Sequence, residues 1–167
     1  GSAGTGGATH IAAEAIARAA DIKLFHIPFG GVTPAIAATI AGDVDVVLGF
    51  ASAILPRGES GQLVPLAQLS EKRASLAPDL PTLMDAGVDL ALPPNIGLWA
   101  PAETPDDVVA ALADAVAKAA GGETFQNFAK NALVEIDYAG PADFGAVLKK
   151  EDAFFAELLP TIDFSQQ

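Results

Sequence analysis

The chain has 167 residues, with nine basic side chains against 21 acidic ones and a formal charge of −12. That balance excludes the clustered positive surface by which proteins hold nucleic acid non-specifically. The lack of cysteine excludes disulfides, thiolate chemistry and cysteine-ligated metals.

Apolar residues make up 51% of the chain, but alanine supplies much of that share and no run reaches bilayer-spanning length. The opening GSAGTGG is neither basic nor followed by a long apolar stretch, so it does not read as a signal peptide. A chain of this length can bury one core or two unequal ones.

Residues 1–9 read as a turn leading into a helix over about 9–20, where Ile11, Ala12, Ala15, Ile16 and Ala19 recur at helical spacing. Residues 23–29 read as a strand, Gly30-Gly31 as a turn, and Thr33-Pro34 as the start of a helix running to Ala41. A buried strand is expected at 44–48, a helical turn at 51–55 before Pro56, and another strand at 63–69. Residues 70–95 read as proline-containing loop with one short helix around 82–86, and 96–100 as strand.

The texture changes near Pro101, and a boundary is expected between Asn95 and Pro101. Thr104-Pro105-Asp106-Asp107 starts a helix whose acidic first turn suits the positive end of its dipole. It runs to Ala120, where Gly121-Gly122 stops it. A short helix at 123–130, a strand at 134–138 and a long helix at 141–159 follow, with the last few residues frayed. The whole reads as an α/β chain of short β-α units.

The stretch Gly1-Ser2-Ala3-Gly4-Thr5-Gly6-Gly7-Ala8-Thr9 is the most informative. Gly4, Gly6 and Gly7 let backbone turn tightly and approach a ligand without a Cβ in the way. If Thr9 begins the helix, the N–H groups of Gly6, Gly7 and Ala8 converge at its positive end, beside the hydroxyls of Ser2, Thr5 and Thr9. That is an anion nest made without cationic side chains. A plain tight connection fits the same residues equally well. Residues 29–35 repeat the design, with the N–H groups of Gly31, Val32 and Thr33 on offer and none from Pro34. Two such loops at equivalent strand ends face one crevice in open α/β sheets. Here too a simple glycine turn is the alternative.

Other signals are weaker. Gly4-Thr5-Gly6-Gly7-Ala8-Thr9 lacks the third glycine of a dinucleotide fingerprint and the lysine of a P-loop. His10 and His26 are the only histidines and make a poor metal pair; His10 reads as a helix-start residue and His26 as a packed, neutral one. Gly58-Glu59-Ser60-Gly61 is not a nucleophile elbow. Asp43 fits a helix-ending turn and Asp45 a strand opening, rather than a catalytic pair. Trp99 reads as core, and at least one of Phe154 and Phe155 should pack inward. No nucleophile–base pair is legible, and no cofactor is implied.

In order along the chain, several blocks resemble one family. They are Ser2 through His10; Phe25-His26-Ile27-Pro28-Phe29-Gly30-Gly31 with Pro34-Ala35; and Ala41-Gly42-Asp43-Val44-Asp45. Further on come Lys72-Arg73, Pro78-Asp79-Leu80-Pro81-Thr82 and Ala86-Gly87-Val88; and Trp99-Ala100-Pro101 with Thr104-Pro105. Together they resemble the substrate-binding proteins of tripartite tricarboxylate transporters, the TctC or Bug-type receptors. The resemblance runs from residue 1 to about 159.

It implies a periplasmic-binding-protein-like α/β fold of the type II, Venus-flytrap kind, without enzymatic activity. Residues 1–96 would form the second lobe and 97–167 the C-terminal part of the first. Such receptors are about twice this long, so an upstream segment with a signal peptide in the precursor is expected. The implied function is periplasmic capture of a small organic acid or dicarboxylate and its delivery to the membrane permease subunits. Ser2, Gly4, Thr5, Gly6, Gly7, Ala8, Thr9, Gly31, Val32 and Thr33 are the ligand-binding candidates, with no metal and no nucleic acid involved. Gly7 and Ala8 replace common hydroxyl residues of the family, Phe29-Gly30 replaces tyrosine and lysine, and Gly49-Phe50 stands at a frequent polar pair. These departures imply a weaker polar network or a less hydrophilic ligand. The alternatives are a nucleotide- or phosphate-binding enzyme domain using residues 1–9, and a fragment that self-associates through exposed apolar surface.

Overall fold

The structure, a computed structural model, describes residues 1–162 and Phe164. The chain divides into two compact units, Gly1–Pro93 with the C-terminal residues from Glu157, and Pro94–Ala156.

The first unit is built from three helices. Helix α1 spans Ala8–Ala19, α2 Val32–Ala41 and α3 Ala51–Glu59. On α1, Ala12, Ala13, Ala15 and Ala17 are buried, so the helix packs through small side chains. It ends where Asp21 takes a left-handed φ of 51°, with Asp21 and Ile22 N–H closing back on Arg18 and Ala17 carbonyls. Helix α2 buries Ala35 and Ile36 and ends on left-handed Gly42.

Helix α3 runs past the expected stop at Pro56, which lies inside it. Proline costs an internal hydrogen bond there, and the Arg57 guanidinium adds a bond to the Ala53 carbonyl at 2.6 Å. Gly49, just before α3, is a close-approach position. A Cβ on it would meet Val32 Cγ2 at 2.9 Å and Ile54 Cδ1 at 3.1 Å.

Between the helices run extended segments, but no regular strand ladder forms among the described residues. The expected strands at 23–29, 44–48, 63–69, 96–100 and 134–138 are therefore corrected to extended, largely unladdered backbone. What remains are two isolated parallel bridges, Ser2 with Pro28 and Gln68 with Thr82. For residues 23–29 and 44–48 the pairing that does form runs through Gly1–Ser2. Ser2 N–H donates to Ile27 O at 3.2 Å and Phe29 N–H to Ser2 O at 3.1 Å. On the other edge, Leu48 N–H donates to Gly1 O at 3.2 Å and the Gly1 ammonium to Val46 O at 2.6 Å. Gly1–Ser2 thus pairs on both edges in the parallel pattern. Among the described residues, both flanking segments meet their ladder partner at Gly1–Ser2.

The second bridge organises residues 68–92. Gln68 Nε2 donates to Ala77 and Leu80 carbonyls at 3.2 and 2.7 Å, while its Oε1 accepts from Ala74 N–H at 2.9 Å. The short helix expected at 82–86 is a turn instead. There Thr82 N–H bonds Asp85 Oδ2 and Asp85 N–H bonds Thr82 Oγ1, both at 3.0 Å. That reciprocal box holds a turn as well as it starts a helix. The Thr82 backbone bond and then the Arg73 guanidinium, 2.8 Å away, pull the exposed Asp85 carboxyl below its ordinary range.

The second unit carries α4 (Asp106–Gly121), α5 (Glu123–Asn131) and most of α6 (Pro141–Leu158). Asp106 and Asp107 occupy the first turn of α4 and Lys118 its last, as the dipole favours. Gly122 ends α4 and opens α5, letting the two pack. Trp99 is exposed at 74%, a correction to its expected place in the core, and lies 5.8 Å from the Phe144 ring. Phe154 and Phe155 are half-buried and meet edge to face. The 3₁₀ turn Leu159–Thr161 follows α6, with Leu158 and Ile162 buried. The expected fraying at the C-terminus falls mainly on residues outside those described.

Ile36 is 2% exposed and Ile40, one turn on, is 43% exposed. Ile36→Ala is expected to cost about 2–5 kcal/mol, and Ile40→Ala less than half of that. Urea unfolding followed by circular dichroism measures both; equal costs would mean that α2 does not bury the face described.

Candidate functional site

Past Ser2 the chain turns sharply before α1. Ala3 N–H donates to Thr9 Oγ1 at 2.9 Å, and Gly4 N–H donates to Ser2 Oγ at 3.3 Å. Gly6 N–H donates to His10 Nδ1 at 3.0 Å and Gly7 N–H to Gly4 O at 3.4 Å. Gly6 sits at φ +73°, a left-handed conformation that a β-branched residue strongly resists.

The trio of N–H groups expected to converge here, those of Gly6, Gly7 and Ala8, is therefore corrected. Gly6 and Gly7 are engaged within the chain. Thr5, Ala8 and Thr9 have N–H groups with no protein partner among the described residues. The Gly7 N-cap supplies no side-chain cap to α1. Of the hydroxyls, Ser2 is fully buried and turned toward His26, Thr9 accepts from Ala3, and Thr5 is exposed.

The second turn has the same character. Gly31 caps α2 without a side-chain bond, and the N–H groups of Gly31, Val32 and Thr33 have no partner among the described residues. The parallel Ser2–Pro28 bridge makes the two turns leave neighbouring segments at the same end. Neither turn carries a lysine or arginine. Arg18 lies in the last turn of α1 and reaches the Glu157 carbonyl at 3.4 Å. The arrangement offers backbone donors and the positive ends of two helices to an anion, with no fixed cation.

Beneath the first turn lies a pair of groups that the sequence reading kept apart. The rings of His10 and His26 stack with centroids 3.7 Å apart and planes 9° from parallel. His10 is 2% exposed, and its Nε2 lies 3.7 Å from Glu14 Oε1. His26 Nε2 is 2.6 Å from Ser2 Oγ, while its buried Nδ1 has no hydrogen-bond partner among the described residues. Ser2 and His26 are within the reach of a nucleophile and base. However, Ser2 is enclosed and no third group orients the imidazole through Nδ1. The signal for this pairing was spread over the chain: His10 opens α1, which follows Ser2, and His26 stands two residues before Pro28, the residue bridged to Ser2.

Burial, then the nearby His10 and the Gly1 ammonium, hold the His26 imidazole below its ordinary range. The unfolded chain binds that proton more readily, near the ordinary value of about 6.5. The pairing therefore contributes stability that is present above that pH and lost as pH falls through the lowered folded value. His26→Phe should flatten this part of the pH dependence of stability, read from urea midpoints between about pH 7 and pH 5 against the parent. An unchanged slope would show that His26 does not titrate as its surroundings require. Ser2→Ala leaves both nitrogens of His26 unpartnered and should cost about 1–3 kcal/mol in the same assay.

Among the described residues no group of three His, Asp or Glu side chains is placed to hold a metal ion. Nor is any helix there long and apolar enough to cross a membrane. A model of the tripartite tricarboxylate transporter family receptor matches residues 1–152. A Cupriavidus necator protein, the UPF0065 protein in the gbd 5′ region, is 30% identical over 162 residues, covering 95% of this chain and 49% of that protein. The crystal structure of a TctC solute binding protein from Polaromonas superposes with a TM-score of 0.82 at 28% identity, covering 96% of this chain and 56% of the other. The periplasmic binding protein BugD gives a TM-score of 0.68 at 26% identity, over 93% and 53% of the two chains. The structure of R. palustris Rpa4515 with adipate gives 0.75 at 24% identity, over 92% and 52%. These likenesses carry the periplasmic-binding-protein-like α/β fold, and the chain spans about half the length of each of these proteins. By its family match over nearly the whole of its length, the chain belongs to the tripartite tricarboxylate transporter receptor family.

Proposed function

We propose that this chain forms the ligand-holding part of a periplasmic receptor that captures a small carboxylate and delivers it to the membrane subunits of a tripartite tricarboxylate-type transporter. One observation carries the reading. Two neighbouring parallel segments each run into a helix whose first N–H groups have neither a protein partner nor a side-chain cap among the described residues. A carboxylate accepting two to four such bonds gains charge-assisted interactions, stronger than those to a neutral ligand.

The direct donors are the N–H groups of Thr5, Ala8 and Thr9 from the first turn and of Gly31, Val32 and Thr33 from the second. Gly4, Gly6 and Gly7 shape the approach, and Ser2 anchors the loop from below. In this reading the first unit corresponds to the second lobe and the Pro94–Ala156 unit to the C-terminal part of the first. Binding, not catalysis, is the role, since the enclosed Ser2 offers no route to a substrate. The adipate in the R. palustris relative supports a dicarboxylate as the first ligand to try.

Calorimetric titration of this chain with adipate, tricarboxylates, aromatic acids and inorganic phosphate tests the proposal. Saturable binding of at least one organic acid, with phosphate not competing, is expected. Silence across all the acids would overturn it, and preferential phosphate binding would point to a phosphate-binding domain instead.

Two substitutions rank the parts of the loop. Thr9→Ala removes the acceptor for Ala3 N–H and should weaken binding by about 1 kcal/mol. Gly6→Val forces a β-branched residue into left-handed backbone and should weaken it more, by roughly tenfold or greater. Equal affinities for Gly6→Val and the parent, with the fold intact, would move the anion elsewhere.

A further inference from the structure

The two histidines have no part in the donor set just described, yet they hold the loop that presents it. The bond from Gly6 N–H to His10 Nδ1, at 3.0 Å, needs the lone pair on that nitrogen. His10 can therefore carry only one proton while the bond exists, and that proton sits on Nε2, on the side of Glu14. His26 is arranged for neutrality by different means. A proton on its buried Nδ1 would be a donor without an acceptor among the described residues. The two rings stack at 3.7 Å, a separation at which two imidazolium charges repel strongly.

We propose that His10 and His26 are positioning residues which hold the anion-binding loop only as a neutral stacked pair, so that protonating the pair releases Gly6 and loosens the ligand. The proposal rests on the carboxylate reading of the loop for its last step alone. When a proton reaches His10 Nδ1, the Gly6 N–H loses its acceptor and faces a donor. The turn then keeps the Ala3–Thr9 and Gly7–Gly4 bonds but loses the one that fixes its tip.

The charges around the pair are few among the described residues. Glu14 on α1 faces His10 Nε2 at 3.7 Å, and the Gly1 ammonium acts on His26 from the neighbouring segment. Asp45 acts on that ammonium in turn. Phe164 meets His10 edge-on at 5.8 Å and brings no charge. Among the described residues Glu14 is the carboxylate placed beside His10, and it faces the proton on Nε2. It would favour the imidazolium charge, but it offers no acceptor to a second proton on Nδ1. An imidazolium would attract an anion electrostatically, which makes the sign of the pH dependence the deciding quantity.

Two readouts on this chain decide it. Long-range ¹⁵N NMR of the imidazoles, together with the Gly6 amide resonance, follows the latch without any ligand. Adipate titration from about pH 8 down through the imidazole transition that NMR shows follows the loop's grip. The Nε2-protonated tautomer of His10 is expected at pH 8, with the Gly6 amide shifting on acidification at the same midpoint as the ring. Adipate should bind more weakly once the ring is protonated, by up to about fivefold, the ratio one ordinary hydrogen bond is worth. His10→Phe should bind more weakly than the parent at pH 8 and lose the pH dependence. His26→Phe, which keeps a ring in the stack, should retain a titrating Gly6 amide.

A Gly6 amide indifferent to imidazole titration overturns the latch, as does adipate binding that tightens or stays level on acidification. If adipate binds at no pH, the carboxylate reading fails, and the latch is still judged by the Gly6 amide. A His10→Phe chain that is less stable but keeps the parental pH profile would reduce His10 to a packing role and overturn the proposal.

Discussion

The arrangement depends on how little backbone joins its parts. Gly1 and Ser2 bond on one edge to Ile27 and Phe29 and on the other to Val46 and Leu48. Those bonds tie the segments so that the turns after Ser2 and Phe29 open at the same end of adjacent parallel segments. A parallel bridge also sets direction: it makes both chains leave the pairing toward the same side. Two glycine-rich turns, each followed by a helix, then present their unpaired N–H groups from one place. Ser2 has a second function in that position, since its side chain is fully enclosed and fastens His26 from 2.6 Å.

A net charge of −12 makes the chemistry of these turns more telling. A protein so acidic repels anions at a distance, but screening limits that effect to about 8–10 Å in ordinary salt. Within the turn the local field is set by helix N-termini and oriented amides, which need no cationic side chain. Backbone donors have the further merit of being fixed by the fold. Their directions are held by bonds such as Ala3 to Thr9 and Gly6 to His10, so little ordering remains to be done when an anion arrives. The cost of this economy is dependence on loop geometry: any change that frees Gly6 or shifts Thr9 alters every donor at once.

The second unit carries its own lesson about small residues and exposed apolar ones. Ala120 and Ala129 are buried where α4 and α5 pack, while Ile96, Leu98 and Trp99 are open at 93%, 81% and 74%. A shallow cleft of about 500 Å³ is lined by Ala119, Gly122, Glu123, Thr124, Phe125 and Phe128. Apolar patterning at 96–100 is that of a strand, and the backbone there is extended but without a ladder. Pattern reports what a segment would bury in company; whether the company is present is a separate matter.

That distinction runs through the comparison of sequence with fold. The helices at Ala8–Ala19, Val32–Ala41, Asp106–Gly121, Glu123–Asn131 and Pro141–Leu158 were legible to within a few residues, because alanine periodicity, glycine stops and an acidic first turn act locally. Pro56 was misread as a stop, since its neighbours' capacity to tolerate it inside α3 is not local. The turn at Thr82 was misread as helix because its reciprocal capping bonds serve both structures. The glycine turns that open α1 and α2 could be located from composition alone, and so could their lack of nearby cations. Which N–H groups stay free could not. That Gly6 is occupied by His10, and that His10 in turn lies on His26, follows from a contact between residues 16 apart in the chain. By itself, the sequence determined the helices, the acidic surface and the family of this chain, since these rest on residues acting within a few positions of one another. Only the tertiary structure decided which backbone donors remain available and that two histidines share one stack, because both depend on the Ser2–Pro28 pairing bringing distant segments side by side.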